Sequence, residues 1–277
     1  MTIIKTKAKT TKKYLQGLRS YHIDMGFDES VFNDPRLERI IRGGKRYYGD
    51  VDRRERFPIT REILVRILQQ IPDTYDGLNN KAALCLGFSA FLRAGEFTYD
   101  KWEETSPNFA LTRSSVSFEE DGNLVLTLPA SKTDYFRKGV RIPLAAATNG
   151  SPTCPAIALR TLFNRFPANP KAPLFAKTFG PFSRDHLIKT IRNALLDAGL
   201  SPTGFSGHSL RRGAAVSAVA AGIPRDEIKA LGRWKSDAVD LYFKSEPSKL
   251  LIHSKKLHTT PLVPPADVPG ILADLTG

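Results

Sequence analysis

The sequence has few of the residues that mark a disulfide framework, a structural metal site or a membrane anchor. It contains two cysteines, Cys85 and Cys154, and neither lies at a spacing typical of metal ligands. We therefore expect a reducing compartment and no structural zinc. No apolar run approaches the roughly 18 residues of a membrane span. The N-terminus also lacks the apolar core of a signal peptide.

Acidic residues are scarce relative to basic ones. The 277 residues include 41 Lys and Arg against 28 Asp and Glu, a formal net charge of +13 at pH 7. This excess predicts a polyanionic partner, with nucleic acid ahead of an anionic membrane. The hydrophobic fraction of 41% and the charged fraction of 25% are those of an ordinary globular protein. The length allows one large or two modest domains.

Helical periodicity dominates the chain, and one short region has the pattern of strands. Apolar residues recur at helical spacing in six stretches before residue 200. Strand-like runs lie at residues 114–120, 124–128 and 140–144, and Asp121-Gly122-Asn123 has the composition of a hairpin turn. The pattern predicts a mainly helical α+β fold with a small three-stranded antiparallel sheet. The predicted helices begin near Thr10, run over 35–48, follow Thr60, run from Asn79 through NKAALCLGFSAFLRAGEF, and cover 155–166 and 183–198.

The N-terminal segment, residues 1–56, is markedly basic. It holds 14 Lys and Arg against 8 Asp and Glu. A solvated helix surface would account for such a charge run. Within a basic protein, however, a basic face on two short helices favours contact with phosphates. The predicted DNA contacts in this segment are Lys12, Lys13, Arg39, Arg42, Lys45 and Arg46.

The stretch from Ser206 to Lys244 places polar side chains at the ends of three short helices. His208 and Arg211, three residues apart, share a face at the start of the first helix, where the helix N-terminus also favours an anion. Gly222 is expected to end that helix, and Pro224 suits the start of the next. Ser236 is expected to cap a third helix, which carries Tyr242.

Polar residues elsewhere could complete an anion site. Arginine binds phosphate oxygens in pairs and keeps its charge, a tyrosine hydroxyl can act as a nucleophile, and a lysine can act as a general acid. The sequence has no carboxylate cluster for two metal ions, which argues against a metal-dependent nuclease. Taken singly, Arg93 could complement a helix C-terminus and Tyr242 could be a core aromatic. The candidate set is Arg93, Lys132, His208, Arg211, Trp234 and Tyr242, with Glu96 positioned to orient Arg93.

Five short motifs carry a family resemblance. FLRAGEF, SKTD, HSLRRG, LGRW and DLYFK occur in this order between Leu84 and Lys244. In them the chain resembles the tyrosine recombinases of the phage-integrase type, especially eukaryotic members carried by Crypton, DIRS-like and Ngaro-like transposons. Trp234 stands where histidine is more frequent. It precedes Tyr242 by eight residues, a spacing similar to that of the element-borne members.

The resemblance implies metal-independent cutting and rejoining of DNA strands, in the integration or excision of a mobile element. Tyr242 would become joined to the 3′ phosphate of the cut strand, and Lys132 would protonate the leaving 5′ hydroxyl. Arg93 and Arg211 would clamp the non-bridging oxygens. His208 and Trp234 would form hydrogen bonds to the scissile phosphate, and His208 would assist in removing the proton of Tyr242. Glu96 would be a structural support. The implied DNA contacts are Arg137, Lys138 and Arg212.

The resemblance also implies an organisation. We expect a DNA-clamping segment at residues 1–56, with two helices where the family usually has about four. A catalytic domain at 57–246 and a C-terminal tail at 247–277, which docks on a neighbouring protomer, would follow. The implied assembly is a homotetramer on two DNA duplexes with no cofactor. The implied location is the nucleus, or the cytoplasm for a prokaryotic protein.

Two other functions remain open at the sequence level. The segment AAVSAVAAGIPRDEIKALGRW resembles a helix-turn-helix, which predicts a DNA-binding protein that does not cut. That reading assigns no role to Arg93, Lys132 or Tyr242. A type IB topoisomerase would use similar chemistry to relax DNA. The small N-terminal region and the lack of a long coiled linker before Tyr242 disfavour it.

Overall fold

The computed structural model describes residues 8–48, 55–101, 111–129, 139–147 and 150–243. The chain divides into two compact units, residues 1–55 and 56–277, and each is treated separately below. Lys132, Arg137 and Lys138 lie outside the described residues, as does the proposed tail at 247–277.

The first unit is a pair of helices joined by a short 3₁₀ turn. Helix α1 covers Ala8–Asp24, the 3₁₀ turn covers Ser30–Asn33, and α2 covers Pro35–Tyr48. The two helices are linked by an exposed ion pair, 2.9 Å between Lys12 Nζ and Glu38 Oε1. Arg42 Nε lies 3.7 Å from the same carboxylate. The other predicted DNA contacts of this unit, Lys13, Arg39, Lys45 and Arg46, are exposed.

The second unit combines seven described helices with one small sheet. A 3₁₀ turn at Arg113–Ser115 precedes the sheet, and a 3₁₀ helix at Asp237–Tyr242 ends the described part of the chain. The helices are α3 (Arg61–Gln70), α4 (Tyr75–Ser89), α5 (Ala94–Phe97), α6 (Pro155–Arg165), α7 (Arg184–Asp197), α8 (Ser209–Ala220) and α9 (Arg225–Leu231), and the strands are β1 (Val116–Phe118), β2 (Leu124–Leu128) and β3 (Val140–Leu144).

The sheet is antiparallel with the order β1-β2-β3. Leu126 at its centre lies opposite Val116 on one side and Ile142 on the other. Gly122 at φ +87° permits the tight turn between β1 and β2, and Asp121 Oδ1 accepts from the Asn123 amide at 3.0 Å. The predicted sheet is confirmed, although β1 is shorter than expected because residues 113–115 form the 3₁₀ turn.

Helix α4 runs through the main core of the second unit. It packs against α6 on one side and α8 on the other, and its Leu84 and Leu86 have no exposed surface. Leu159 and Leu162 of α6 are also fully buried. Removing this much apolar surface from water is the main driving force for the fold. The helix therefore provides a rigid element from whose C-terminal end the candidate site is built.

The prediction of one continuous helix from Asn79 to the end of AGEF is wrong. Helix α4 begins earlier, at Tyr75, where Thr74 Oγ1 accepts from the Gly77 amide at 3.1 Å. It ends at Ser89, and a separate short helix, α5, starts at Ala94. Arg93 is thus the residue before a new helix, at φ −76° and ψ 143°, instead of the last turn of an old one.

Candidate active site

The C-terminal end of α4 forms a Schellman turn around an aromatic residue. The Phe91 amide donates to Phe88 O at 3.1 Å, and the Leu92 amide donates to Gly87 O at 2.9 Å. The turn requires a left-handed residue, and Phe91 occupies that position at φ +51°. Glycine is the usual residue there, because a side chain at this φ costs free energy. The turn directs the Phe91 carbonyl oxygen toward α8.

The C-terminal end of α9 repeats this turn around an arginine. The Arg233 amide donates to Ala230 O at 2.9 Å, and the Trp234 amide donates to Lys229 O at 3.0 Å. Arg233 takes the left-handed position at φ +54°. Among the described residues other than glycine, Phe91 and Arg233 alone have positive φ. Such conformations concentrate at functional sites, and these two helix ends both border the candidate site.

Arg211 of α8 joins the two helix ends. Its Nη1 donates to Phe91 O at 2.6 Å and its Nη2 donates to Gly232 O. The guanidinium also stacks on Trp234, with 4.4 Å between its Cζ and the ring centroid. Only 5% of Arg211 is exposed. Two of its five N–H donors are engaged by carbonyl oxygens, so a phosphate clamp by Arg211 would use the remaining donors or exchange these bonds.

The surroundings of Arg211 lower the pKa of its guanidinium, which nevertheless stays protonated at neutral pH. Burial lowers its pKa to about 10, with Arg93 and Arg233 acting in the same direction and Glu96 opposing them. Tyr242 also lies within electrostatic range of this guanidinium. The first arginine, its glutamate, the second arginine and the tyrosine that the sequence singled out therefore lie in one neighbourhood.

Glu96 connects Arg93 to the end of α9. Its carboxylate accepts from the Arg93 amide and from Arg93 Nη1, both at 2.8 Å. Its Oε2 also accepts from Arg233 Nη2 at 2.9 Å. The Glu96 side chain is 8% exposed, whereas 41% of the Arg93 side chain remains exposed. Arg93 thus offers part of its guanidinium to solvent while one end of it is fixed.

Trp234 lies between the arginine and the tyrosine. The centroid of its ring is 5.7 Å from that of Tyr242, and Phe91 contacts its edge at 6.0 Å. A methyl group on Gly232 would lie 1.6 Å from Trp234 Cζ3, so this ring position requires glycine. Tyr242 is half-buried on its 3₁₀ helix, which is anchored by the buried Val239. Ser236 precedes this helix, but its side chain makes no capping hydrogen bond.

His208 is exposed at the start of α8 in a strongly positive environment. Its pKa is lowered by the partial burial of the ring and by four nearby arginines, Arg184, Arg212, Arg56 and Arg211. A methyl group on Gly207 would lie 3.0 Å from Arg184 Nε and 3.1 Å from Ala94 Cβ. The start of α7 therefore approaches the residue that follows Arg93, which gives this edge of the site several cationic groups.

Sequence reasoning missed three arginines of this site. Arg184 and Arg56 are separated from His208 in sequence and carry no motif of their own. Arg233 is the neighbour of Trp234 in LGRW, and it precedes Tyr242 by nine residues. The predicted DNA contact Arg212 is partly buried, and its Nη1 donates to Arg56 O at 2.8 Å.

The described part of the chain has neither a cluster of metal ligands nor a membrane-spanning helix. No three His, Cys, Asp or Glu side chains there come together as a potential metal site. None of the helices there has the length and apolar character needed to cross a bilayer.

Comparison with known proteins gives one sequence relative and several structural ones. No family model matches the sequence. Over 253 residues the chain is 26% identical to the integrase/recombinase xerD homolog of Selenomonas ruminantium, and the match covers 83% of this chain and 66% of that protein. The chain thus spans just under two thirds of the length of this relative.

The fold is similar to those of solved recombinase and integrase structures. XerH site-specific recombinase in a post-cleavage complex gives a TM-score of 0.52 at 14% identity, over 73% of this chain and 52% of that one. XerA recombinase gives 0.51 at 13% identity, over 90% and 83%. The Tn1549 transposon integrase in complex with circular intermediate DNA gives 0.51 at 14%, over 90% and 85%. The predicted fold class is confirmed, whereas these proteins give no support to the eukaryotic transposon-borne subgroup or to a nuclear location.

Proposed function

We propose that this chain, whose relatives support membership of the tyrosine recombinase/integrase family, cuts and rejoins DNA strands through a covalent 3′-phosphotyrosine at Tyr242. The observation that carries the proposal is the shared neighbourhood of Arg93, Arg211, Trp234 and Tyr242 around the ends of α4 and α9. These are the residues that the sequence motifs singled out, and they come from three separate segments of the chain.

The proposed reaction is a pair of reversible transfers at phosphorus. The Tyr242 hydroxyl oxygen bonds to phosphorus as its proton leaves, and the bond from phosphorus to the 5′ oxygen of the next nucleotide breaks. That oxygen takes up a proton, and a 3′-phosphotyrosine and a free 5′ hydroxyl result. Attack by a 5′ hydroxyl, from the same or another strand, reverses the step. The phosphodiester energy is kept in the protein–DNA bond, so rejoining needs no nucleotide cofactor.

Arginines supply the electrostatic stabilisation in this proposal. The transition state carries more negative charge than the ground state, and preplaced cations stabilise it selectively. Arg93 is suited to a non-bridging oxygen because Glu96 fixes one end of it while 41% of its side chain stays exposed. Arg211 would join it through a donor that is not engaged by a carbonyl, or by exchanging a carbonyl partner for a phosphate oxygen. Trp234 would hold the ring of Tyr242.

His208 and Lys132 are assigned the proton transfers. The lowered pKa of His208 favours its neutral form at pH 7, which is the form that can accept the proton of Tyr242. Lys132 is proposed as the acid for the leaving 5′ oxygen on the resemblance of SKTD alone. No metal or other cofactor takes part in the proposed steps.

The proposed partner is double-stranded DNA, bound by a homotetramer on two duplexes. The net charge of +13 and the exposed basic residues of α1 and α2 support a polyanionic partner. Recombination between two duplexes, in the integration or excision of a mobile element, needs two pairs of cleaving protomers. The expected placement in a eukaryotic transposon and in the nucleus is a finer prediction, which the genomic surroundings of the coding sequence would test.

The helix-turn-helix reading is less well supported than strand cleavage. The cations of its second helix, α9, are partly buried and engaged by carboxylates. Arg225 pairs with Asp237 and Asp240, and Lys229 Nζ lies 2.9 Å from Asp237. Side chains held in this way are poorly placed to contact bases or phosphates.

A covalent-trapping assay tests the proposal. The full chain is incubated in EDTA with a random-sequence pool of nicked duplexes and analysed on a denaturing gel. We expect an adduct with the native protein, an equal adduct with Tyr75→Phe, whose ring packs on Phe166 at 4.9 Å, and none with Tyr242→Phe. An adduct that survives in Tyr242→Phe would remove the nucleophile from this site. DNA binding without an adduct in any variant would favour a binder that does not cut.

A further inference from the structure

We propose that Arg233 is a positioning residue that holds Glu96, and through it Arg93, in the geometry needed for strand cleavage. This inference rests on the proposed function. It assigns a role to a residue that lies nine positions before Tyr242 and whose side chain bonds to Glu96 of α5.

The hydrogen bonds of Arg233 define this role. Its Nη2 donates to Glu96 Oε2 at 2.9 Å and its Nη1 donates to Ala90 O, also at 2.9 Å. The first bond fixes the carboxylate that holds Arg93. The second fixes the turn that presents Phe91 O to Arg211. One side chain from the end of α9 therefore orders the supports of both candidate phosphate-binding arginines.

The backbone conformation shows that the side chain matters at this position. A left-handed residue at the end of a helix is ordinarily glycine, and arginine pays a conformational cost there. The cost is offset by charged hydrogen bonds, since the Arg233 side chain is 18% exposed and the Glu96 side chain 8%. A glycine at position 233 would relax the backbone and remove only the side-chain bonds. This substitution separates backbone stability from positioning.

The charges explain why Arg93 needs a second arginine nearby. Without Arg233, Oε2 of the largely buried Glu96 would keep only the Arg93 amide as a donor, and the carboxylate could draw more of the Arg93 guanidinium inward. Arg233 Nη2 shares Oε2 with that amide, while Arg93 binds Oε1 through Nη1 and 41% of its side chain stays exposed. The ion-pair network then carries two positive charges and one negative charge, and this excess is available to a phosphate.

The test compares Arg233→Gly, Arg233→Gln and Arg233→Lys in the full chain, with Arg66→Gln on the exposed face of α3 as the control. Single-turnover cleavage of a nicked duplex is measured at saturating DNA, and DNA affinity is measured separately. We expect Arg233→Gly and Arg233→Gln to slow cleavage at least tenfold with less than a threefold change in Kd. Arg233→Lys should recover part of the rate, because an ammonium can still pair with Glu96. Arg233→Gly should unfold at a somewhat lower temperature than the native chain, because Glu96 and Ala90 O each lose a donor, but it should remain folded at the assay temperature.

Further outcomes keep this inference separate from the proposed function. Native-rate cleavage by Arg233→Gly, or a rate loss matched by an equal loss of DNA affinity or of folding, would overturn the positioning role while leaving Tyr242 as the nucleophile. If the native chain forms no adduct, the proposed function fails, and inorganic phosphate becomes the probe. The rise in Tm caused by phosphate should then shrink in Arg233→Gly as it does in Arg93→Gln. An unchanged rise in Arg233→Gly would overturn the inference.

Discussion

The guanidinium of Arg211 stacks on the indole of Trp234, with 4.4 Å between its Cζ and the ring centroid, and the same indole packs against the ring of Tyr242. The stack joins a residue of α8 to the turn that ends α9. Arg211 also donates to Phe91 O at the end of α4. A single buried cation therefore connects the three segments that carry the candidate site. Its removal should lower both the free energy of unfolding and the rate of strand cleavage.

Replacing Arg211 by methionine should destabilise the protein by about 2–4 kcal/mol, because two buried carbonyl oxygens lose their donor. Methionine keeps much of the apolar length of the arginine side chain. The change in stability therefore reflects the lost hydrogen bonds more than the lost side-chain volume. Urea unfolding at pH 7 would measure the change in free energy of unfolding. A loss well under 1 kcal/mol would show that Phe91 O and Gly232 O find other donors.

Gly232→Ala should displace the indole of Trp234 and, with it, the ring of Tyr242. The added methyl would lie 1.6 Å from Trp234 Cζ3, a distance that no packing adjustment of the ring in place can accommodate. Tryptophan fluorescence should change, and adduct formation should fall at least tenfold. Gly95→Ala on α5 is the matched control, because nothing lies within 4 Å of its added methyl. Equal activity of the two variants would contradict the packing that we describe.

The attachment of the tyrosine-bearing 3₁₀ helix to α9 should depend on pH and salt. Arg225 Nε lies 2.5 Å from Asp240, and Arg225 and Lys229 both pair with Asp237. These cations lower the pKa of both carboxyl groups. Lowered carboxyl pKa values mean that the pairs stabilise the folded arrangement at pH above the ordinary carboxyl range. The stabilisation is lost as pH falls through the lowered values.

Hydrogen exchange over residues 237–243 would measure this attachment. At pH 6 and low salt, we expect faster exchange in Arg225→Gln than in the native chain, after correction for the intrinsic rates. The difference should shrink in 0.5 M NaCl, because exposed ion pairs are screened, and it should shrink further as pH falls below the ordinary carboxyl range. A difference that stays constant as pH falls would mean that Arg225 acts through packing and not through these carboxylates.

DNA binding should take up a proton at His208. The free protein has a lowered His208 pKa because of burial and of four nearby arginines. A DNA phosphate at this position would raise it by supplying the opposite charge. The complex then binds more protons than the free protein in the window between the two pKa values. Affinity should therefore increase as pH falls through that window and be independent of pH above it.

Calorimetry in two buffers of different ionisation enthalpy would detect this uptake. The apparent binding enthalpy should depend on the buffer at pH near 6 and not at pH 8.5. His208→Gln should remove the dependence while keeping a polar side chain at the start of α8. Buffer dependence that persists in this variant would assign the proton to another group.

The sequence was most informative where a local signal stood alone. Alternation and a glycine-containing turn predicted the sheet, and Gly222, at φ +77°, marked the end of α8 as expected. The end of α4 was missed because its left-handed residue is Phe91, whose side chain gives no warning of a turn. Because no glycine marks this turn, the apolar periodicity predicted a helix that continued through Phe97.

The sequence predicted candidate residues for the site but not the hydrogen bonds that connect them. The order of the motifs pointed to Arg93, Arg211, Trp234 and Tyr242, and these four residues lie close together in the structure. The assignment of Glu96 as a support for Arg93 also agrees with the observed hydrogen bonds. Arg233 was overlooked because its role depends on a backbone conformation and on Glu96, more than a hundred residues earlier. Such long-range pairing leaves no trace in local spacing.

The two helix ends that meet at Arg211 hold their cation with peptide dipoles and not with acidic side chains. A carboxylate would bring a full negative charge and cancel the field of the guanidinium at a distance. A pair of carbonyl oxygens fixes the same group through partial charges, since a helix C-terminus carries about half of a negative charge. The guanidinium is thus held by neutral groups, and an incoming phosphodiester would compete with peptide carbonyls and not with a carboxylate for its donors.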